Sequence, residues 1–106
     1  MTLLTRREIV VNDDYSTTDS KQLVFTSTTW PATVGATISF IVEEYPHAAT
    51  AVFTVTATRV SATVVNCDLT TANTTLLTAG RQYRYRLVSV ISARDMTLEE
   101  GVIEAR

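Results

Sequence analysis

The chain has 106 residues, of which 45% are hydrophobic, and 9 basic against 11 acidic side chains give it a formal net charge of −2 at pH 7. This length predicts one domain, residues 1–106, able to bury a core that needs neither metal ions nor disulfides. The composition argues against a disordered chain, and the net charge excludes a broad electrostatic attraction to nucleic acid or anionic membranes.

The N-terminal stretch and the cysteine content predict folding in a cytoplasm. Residues 1–11, MTLLTRREIVV, place basic residues after a very short apolar start, which is the wrong order for a secretory signal. No window approaches the ~20 apolar residues of a membrane span. Cys67 is the only cysteine, so no intrachain disulfide can form. We expect it to be a buried small hydrophobe rather than a reactive thiol.

Threonine, valine and isoleucine recur along the chain, and these β-branched residues favour pleated sheets. Alternating or β-rich segments between turn signals predict seven short strands. They are Arg6–Val11, Gln22–Thr26, Ala36–Glu43, Ala51–Thr58, Ala62–Leu69, Arg81 to about Ser92, and Met96–Ala105. One helical turn is expected within Thr70–Thr75. This pattern predicts an all-β fold, namely an antiparallel β-sandwich of about seven strands with immunoglobulin-like topology.

The sixth of these strands has the clearest two-sided pattern, and it follows the turn signal Ala79-Gly80. Tyr83, Tyr85 and Leu87 alternate with Arg84 and Arg86, so one face should enter the core and the other should carry charge. Further along, Arg94-Asp95 is expected to form a hairpin turn, and Gly101 is expected to mark a β-bulge.

Arg81, Arg84 and Arg86 form the one local basic stripe and are candidate interface residues. On one interpretation they pair across strands with Glu99, Glu100 or Glu104. On the other they dock acidic groups of a partner, because the planar guanidinium suits protein interfaces. Both interpretations are open at the level of sequence.

The sequence contains no arrangement of residues typical of a catalytic, metal or cofactor site. His47 is the only histidine and has no second ligand at metal-binding spacing. Asp13, Asp14 and Asp19 share one loop, but their spacing is not that of a regular calcium loop, which leaves calcium as a minor alternative. No nucleophile elbow, phosphate-binding loop or dinucleotide fingerprint occurs. We therefore expect no enzymatic activity, no metal and no cofactor.

Three aromatic residues suggest an alternative function. Tyr15, Trp30 and Tyr45 lie in or beside predicted loops, where aromatic rings could form a patch for a ligand. On this alternative the chain is a carbohydrate- or receptor-binding β-sandwich module.

The second part of the chain contains a strand, then a polar stretch and then a tyrosine-rich strand. The pattern ends with Thr-Leu, followed by a glycine and an isoleucine. The residues concerned are Ala36–Val42, Thr75, Leu77, Ala79-Gly80, Tyr83, Tyr85, Leu87, Thr97-Leu98, Gly101 and Ile103. This pattern resembles that of tailed-bacteriophage virion structural proteins, notably the N-terminal β-sandwich of phage baseplate upper proteins and similar short head or tail modules.

The resemblance implies a non-enzymatic structural protein of a phage head, neck, tail or baseplate, or a capsid decoration protein. Such a protein would act through protein–protein assembly, as a homo-oligomer with other virion proteins as partners and with neither nucleic acid nor membrane. It would be found in the virion after folding in the host cytoplasm.

Overall fold

The computed structural model describes residues 5–11, 15, 23–28, 30, 35–44, 51–91 and 94–106, and the regular structure within these ranges is almost all β-strand. The elements in chain order are β1 (Thr5–Ile9), β2 (Leu23–Thr26), β3 (Thr37–Glu44), β4 (Phe53–Ser61), β5 (Val64–Cys67), α1 (Thr71–Thr74), β6 (Gln82–Ile91) and β7 (Arg94–Ala105). The all-β prediction is confirmed, and each of the seven predicted strands overlaps an observed one. No helix in the described ranges is long and apolar enough to cross a membrane.

The strands form one mixed sheet in the order β1-β7-β6-β3-β4-β5-β2, curled into a half-barrel. All neighbouring pairs are antiparallel except β1 and β7, which run parallel from Thr5 beside Gly101 to Ile9 beside Ala105. The expectation of a purely antiparallel arrangement is therefore corrected, and a sandwich of immunoglobulin-like topology is not confirmed. Residue alternation reports which face of a strand is buried, but it carries no information on strand direction.

The sheet curls because successive parts of β4 pair with two different strands. Phe53–Ala57 pairs with β3, and the end of β4 pairs with β5. Val60 is the extra residue where this second ladder shifts register, and such a bulge bends the bulged strand. As a result Phe25 of β2 packs 5.6 Å from Phe40 of β3 and 6.1 Å from Tyr85 of β6, measured between ring centroids.

The concave side of the half-barrel holds the hydrophobic core. Its largest fully buried side chains include Tyr85, Phe25, Phe40, Ile9, Leu69, Leu87 and Ile103. The predicted alternation is confirmed on β6, where Tyr83, Tyr85 and Leu87 are buried and the two arginines between them are not. Each large apolar side chain removed from water stabilises the fold by roughly 1.5–3 kcal/mol.

The segment that leads into β6 follows local rules. The expected helical turn is α1, whose N-cap Thr70 accepts a hydrogen bond from the Asn73 amide while the Asn73 side chain accepts one from the Thr70 amide. This is a reciprocal capping arrangement. Gly80 then takes a φ of +89°, which an L-residue with a side chain adopts only with strain.

Two local predictions near the C-terminal end are wrong. Arg94 and Asp95 belong to β7, where they pair with Ile91 and Val90, and they form no turn. The bulge lies at Leu98, since Leu87 pairs with Glu99 and Val88 pairs with Thr97. Gly101 lies in regular register opposite Tyr85. The turn and metal candidates at 12–14, 19 and 45–47 lie outside the described residues.

Candidate functional site

Arg84 and Arg86 of the predicted arginine stripe lie on the convex side of the sheet, whereas Arg81 precedes β6 and shares the alternation of the buried Tyr83 and Tyr85. Arg84 donates to Glu100 of β7 at 2.8 Å, and Arg86 donates to Glu43 of β3 at 3.0 Å. Both bonds are diagonal, because Glu100 is directly opposite Arg86 and Glu43 is directly opposite Arg84. Diagonal neighbours in a sheet are within reach of side chains as long as arginine.

These ion pairs differ in burial. The Glu43 side chain is only 6% exposed, so it depends on its hydrogen-bonded partners to keep its charge away from water. Arg84 and Glu100 are more open to solvent. Arg81 approaches Glu44 at 3.9 Å with both side chains 54% exposed, a pair of little energetic weight.

Cross-strand pairing is therefore confirmed for Arg84. Arg86 is also paired, but with a glutamate of β3 that the sequence did not indicate. Because each of these two guanidinium groups has a carboxylate within 3.0 Å, the stripe offers little uncompensated positive charge to an acidic partner.

Arg81 also borders an open groove of about 300 Å³, lined by Gly80, Arg81, Gln82, Glu104, Ala105 and Arg106. Both arginines of this groove face a carboxylate, since Arg106 approaches Glu8 at 2.9 Å and Arg81 approaches Glu44. Glu104 adds a further negative charge. The groove is therefore no ready site for an anion.

A second polar cluster lies at the seam of the half-barrel, where the outermost strands β1 and β2 face each other. Arg7 of β1 donates from Nη2 to the backbone carbonyl of Val24 at 3.2 Å and to Glu99 at 3.3 Å. Its Nε lies 3.3 Å from the hydroxyl of Tyr85, and its guanidinium carbon lies 4.2 Å from the centre of the Phe25 ring. One side chain thus connects β1 to β2, β6 and β7.

Tyr85 completes this seam cluster, which we define as Arg7, Tyr85 and Glu99. The Tyr85 hydroxyl donates to Glu99 at 2.7 Å. Burial, and secondly the hydrogen bond to Glu99, raise the pKa of Tyr85 to about 12. The phenol is therefore neutral at physiological pH and acts as a hydrogen-bond donor. The cluster joins strands, and its geometry contains no activated nucleophile.

Sequence reasoning did not single out the seam cluster, although a signal for it exists. Arg7 shares its strand face with Ile9, and Glu99 shares its face with Ile103, so each charged residue stands in an inward series. Two opposite charges at inward positions on different strands suggest a buried pair. Their meeting required knowledge that β1 lies beside β7.

The aromatic candidates are placed as follows. Tyr15 is 8% exposed, its backbone pairs with Leu69, and its hydroxyl accepts a hydrogen bond from the Val10 amide at 2.8 Å. Trp30 is partly buried, and its indole nitrogen donates to the Leu98 carbonyl at 3.1 Å. Tyr45 lies outside the described residues. Tyr15 thus presents little ring surface to a ligand, whereas Trp30 is only partly buried and is tied to the sheet by its indole nitrogen.

A second part of the convex surface consists, among the described residues, of uncharged side chains, and we call it the threonine face. It comprises Val24, Thr26, Thr54, Thr56, Thr58 and Asn66, from β2, β4 and β5. All but Asn66 are exposed, and the register places Thr58 beside Asn66 and Asn66 beside Val24. Ile41 of β3 lies between Thr54 of this surface and Arg86 of the arginine stripe. Charged residues are depleted at the centre of protein interfaces.

A further reactive group among the described residues, the Cys67 thiol, is inert. Cys67 is fully buried, as predicted, and burial raises the pKa of its thiol to about 12, with a smaller contribution from Asp68. Its thiolate is therefore scarce at neutral pH. Within the part of the chain that the structure describes, no three His, Cys, Asp or Glu side chains converge as metal ligands would.

Comparison with protein-family models, curated proteins and solved structures finds no match to this chain.

Proposed function

We propose that this protein is a non-enzymatic structural subunit that acts through protein–protein assembly, in a phage head, neck, tail or baseplate, or as a capsid decoration. The observation that carries the assembly part is the division of the convex surface into an ion-paired stripe and the neutral threonine face. Exposed threonine and valine on a rigid sheet can be buried at low entropic cost, and burying them desolvates no charge.

The phage part of the proposal is supported by the resemblance of the strand pattern. Most residues of that pattern lie on β3, β6 and β7, which are adjacent strands of the sheet and supply many of its buried side chains. The β-sandwich that the resemblance implies is not confirmed, since the strands form a half-barrel, so the support comes from the pattern of residues and not from the topology.

Mass spectrometry of purified phage particles tests the proposal. Particles from a host that carries the gene should contain peptides of this chain in fixed ratio to the major capsid protein after gradient purification. Its absence from such particles, with the chain present in the surrounding lysate, would contradict the proposed function. A matched control is a host protein of similar size, which should be removed by the gradient.

The carbohydrate-binding alternative has less structural support. It required an exposed aromatic patch, and Tyr15 and Trp30 instead make hydrogen bonds within the fold. A glycan array separates the two functions, because we expect no sugar to be bound above background.

A further inference from the structure

We propose that the threonine face binds the threonine face of a second copy of this chain. This inference rests on the proposed function in assembly, which it deepens by naming the surface and the partner. The interface was expected at the arginine stripe, but Arg84 and Arg86 already form ion pairs within the chain. The threonine face carries no charge, and most of its side chains are exposed.

Hydroxyl chemistry makes this surface complementary to itself. A threonine hydroxyl both donates and accepts a hydrogen bond, so Thr54, Thr56 and Thr58 of one copy can bond the same row of another in either direction. A charged surface lacks this property, because a twofold axis places like charges near each other unless their pattern alternates. The threonine face contains no charged residue, so two copies meet without repulsion.

The centre of the face contains an apolar side chain that a second copy would cover. Val24 is 44% exposed, and it lies beside Asn66 in the register of β2 and β5. Burying this valine against a second copy would remove apolar surface from water, which favours association.

The size of the face sets the strength of the contact. Three strands at ~4.8 Å spacing, each about five residues long, give a footprint of roughly 300 Å² per copy. Two copies would bury roughly 600 Å², which is about half of the ~1,200 Å² of the smallest stable interfaces. We therefore expect a weak dimer in solution that becomes stable only where contacts repeat within a larger assembly.

Sedimentation velocity on the full chain, from about 20 μM to about 1 mM, tests this inference. The natural chain should shift from monomer towards dimer across the range. Thr56→Arg should weaken association at least tenfold, because it places one positive charge from each copy within the uncharged contact. Thr78→Arg is the matched control, since Thr78 is an exposed threonine in the turn before β6, and it should leave association unchanged. Circular dichroism confirms that both variants fold.

Two results would overturn the inference. One is a single monomeric species for the natural chain over the whole range. The other is association that Thr56→Arg and Thr78→Arg leave equally strong. Either could occur while the chain is still found in purified particles, in which case the proposed function stands and the contact between copies lies elsewhere. Absence from particles combined with a dimer sensitive to Thr56→Arg would instead remove the proposed function and retain this interface.

Discussion

At the scale of single residues, Arg7 occupies an inward position of β1 where the alternation of the strand would favour an apolar side chain. Its guanidinium bonds a backbone carbonyl of β2 and a carboxylate of β7, and it lies against the Phe25 ring. A cation over an aromatic face contributes about 0.5–2 kcal/mol. The side chain of Arg7 is 23% exposed, so its contacts are screened less than those of a surface pair.

We expect Arg7→Met to lower the free energy of unfolding by about 2–3 kcal/mol, because Glu99 and the Val24 carbonyl lose a charged donor. Arg84→Met, which removes an arginine from a more exposed pair, should cost less than about 1 kcal/mol. Urea denaturation followed by fluorescence measures both values. Equal losses for the two variants would show that Arg7 in the seam cluster contributes no more to the free energy of unfolding than Arg84 in its more exposed pair.

The buried thiol and phenol predict a loss of stability in alkali. The pKa values of Cys67 and Tyr85 are both raised to about 12. The folded state therefore favours the protonated forms, and the stability they contribute is complete below the ordinary pKa values near 9 and 10. It is lost as the pH rises from there towards 12.

This pH dependence can be assigned by substitution. The urea midpoint of the natural chain should fall from pH 7 through 9 to 10.5. The corresponding free energy of unfolding should decline with a slope that reaches about 1.4 kcal/mol per pH unit for one group. Cys67→Ala is less stable at neutral pH because it leaves a small cavity, but its decline between pH 9 and 10.5 should be shallower. A parallel decline in both proteins would exclude the thiol as its source.

At the scale of elements, the ladders interrupted at Val60 and Leu98 turn a flat sheet into a half-barrel. Each extra residue is apolar, and neither is a glycine or a proline, so the sequence gives no local sign of the bend. The turn before β6 is the opposite case. There Gly80 has a positive φ, and no atom lies within 4 Å of the position a Cβ would take.

Gly80→Ala should therefore lower the free energy of unfolding through backbone strain alone, by about 1–2 kcal/mol. Thr78→Ala changes a side chain in the same turn without altering backbone preference, and it should cost less than about 0.5 kcal/mol. Thermal denaturation of the two variants makes the comparison. A Gly80→Ala protein as stable as the control would show that the turn relaxes to another conformation.

Much of the architecture follows from local pattern. The alternation of Tyr83, Tyr85 and Leu87 identified the core face of β6, and the Thr and Asn content of 70–75 indicated the helical turn. The contact between Arg86 and Glu43 could not be predicted, because it depends on β6 lying beside β3. The seam cluster was missed for the same reason. Spatial order of strands is a property of the complete sheet, and a residue pattern within one strand does not contain it.

At the scale of the whole molecule, the convex surface presents two regions of different chemistry. The arginine stripe is neutralised by glutamates from strands on both sides, and the threonine face has no charge to neutralise. Substitutions can separate these regions experimentally. The charges of the arginine stripe form ion pairs within the fold, whereas the side chains of the threonine face are mostly exposed to solvent.

The double change Arg84→Gln with Arg86→Gln should leave self-association within about twofold of the natural chain, since it keeps the threonine face intact. It should lower the free energy of unfolding, because Glu43 loses its ion-pair partner Arg86 while remaining almost fully buried. Sedimentation and urea denaturation on the same samples give both quantities. A loss of association without a loss of stability would show that the arginine stripe takes part in the interface between copies.

The parallel pairing of β1 with β7 has a consequence for biosynthesis. β1 is the first described strand to leave the ribosome, and its ladder partner is the last. Until β7 emerges, Ile9 has no sheet on which to pack, and closing so long a loop makes folding slow compared with helical proteins of this length. The nascent chain therefore exposes β1 as an unpaired strand until β7 has emerged, and unpaired strand edges are prone to aggregation. β1 can join the sheet only after its ladder partner β7 has been synthesised.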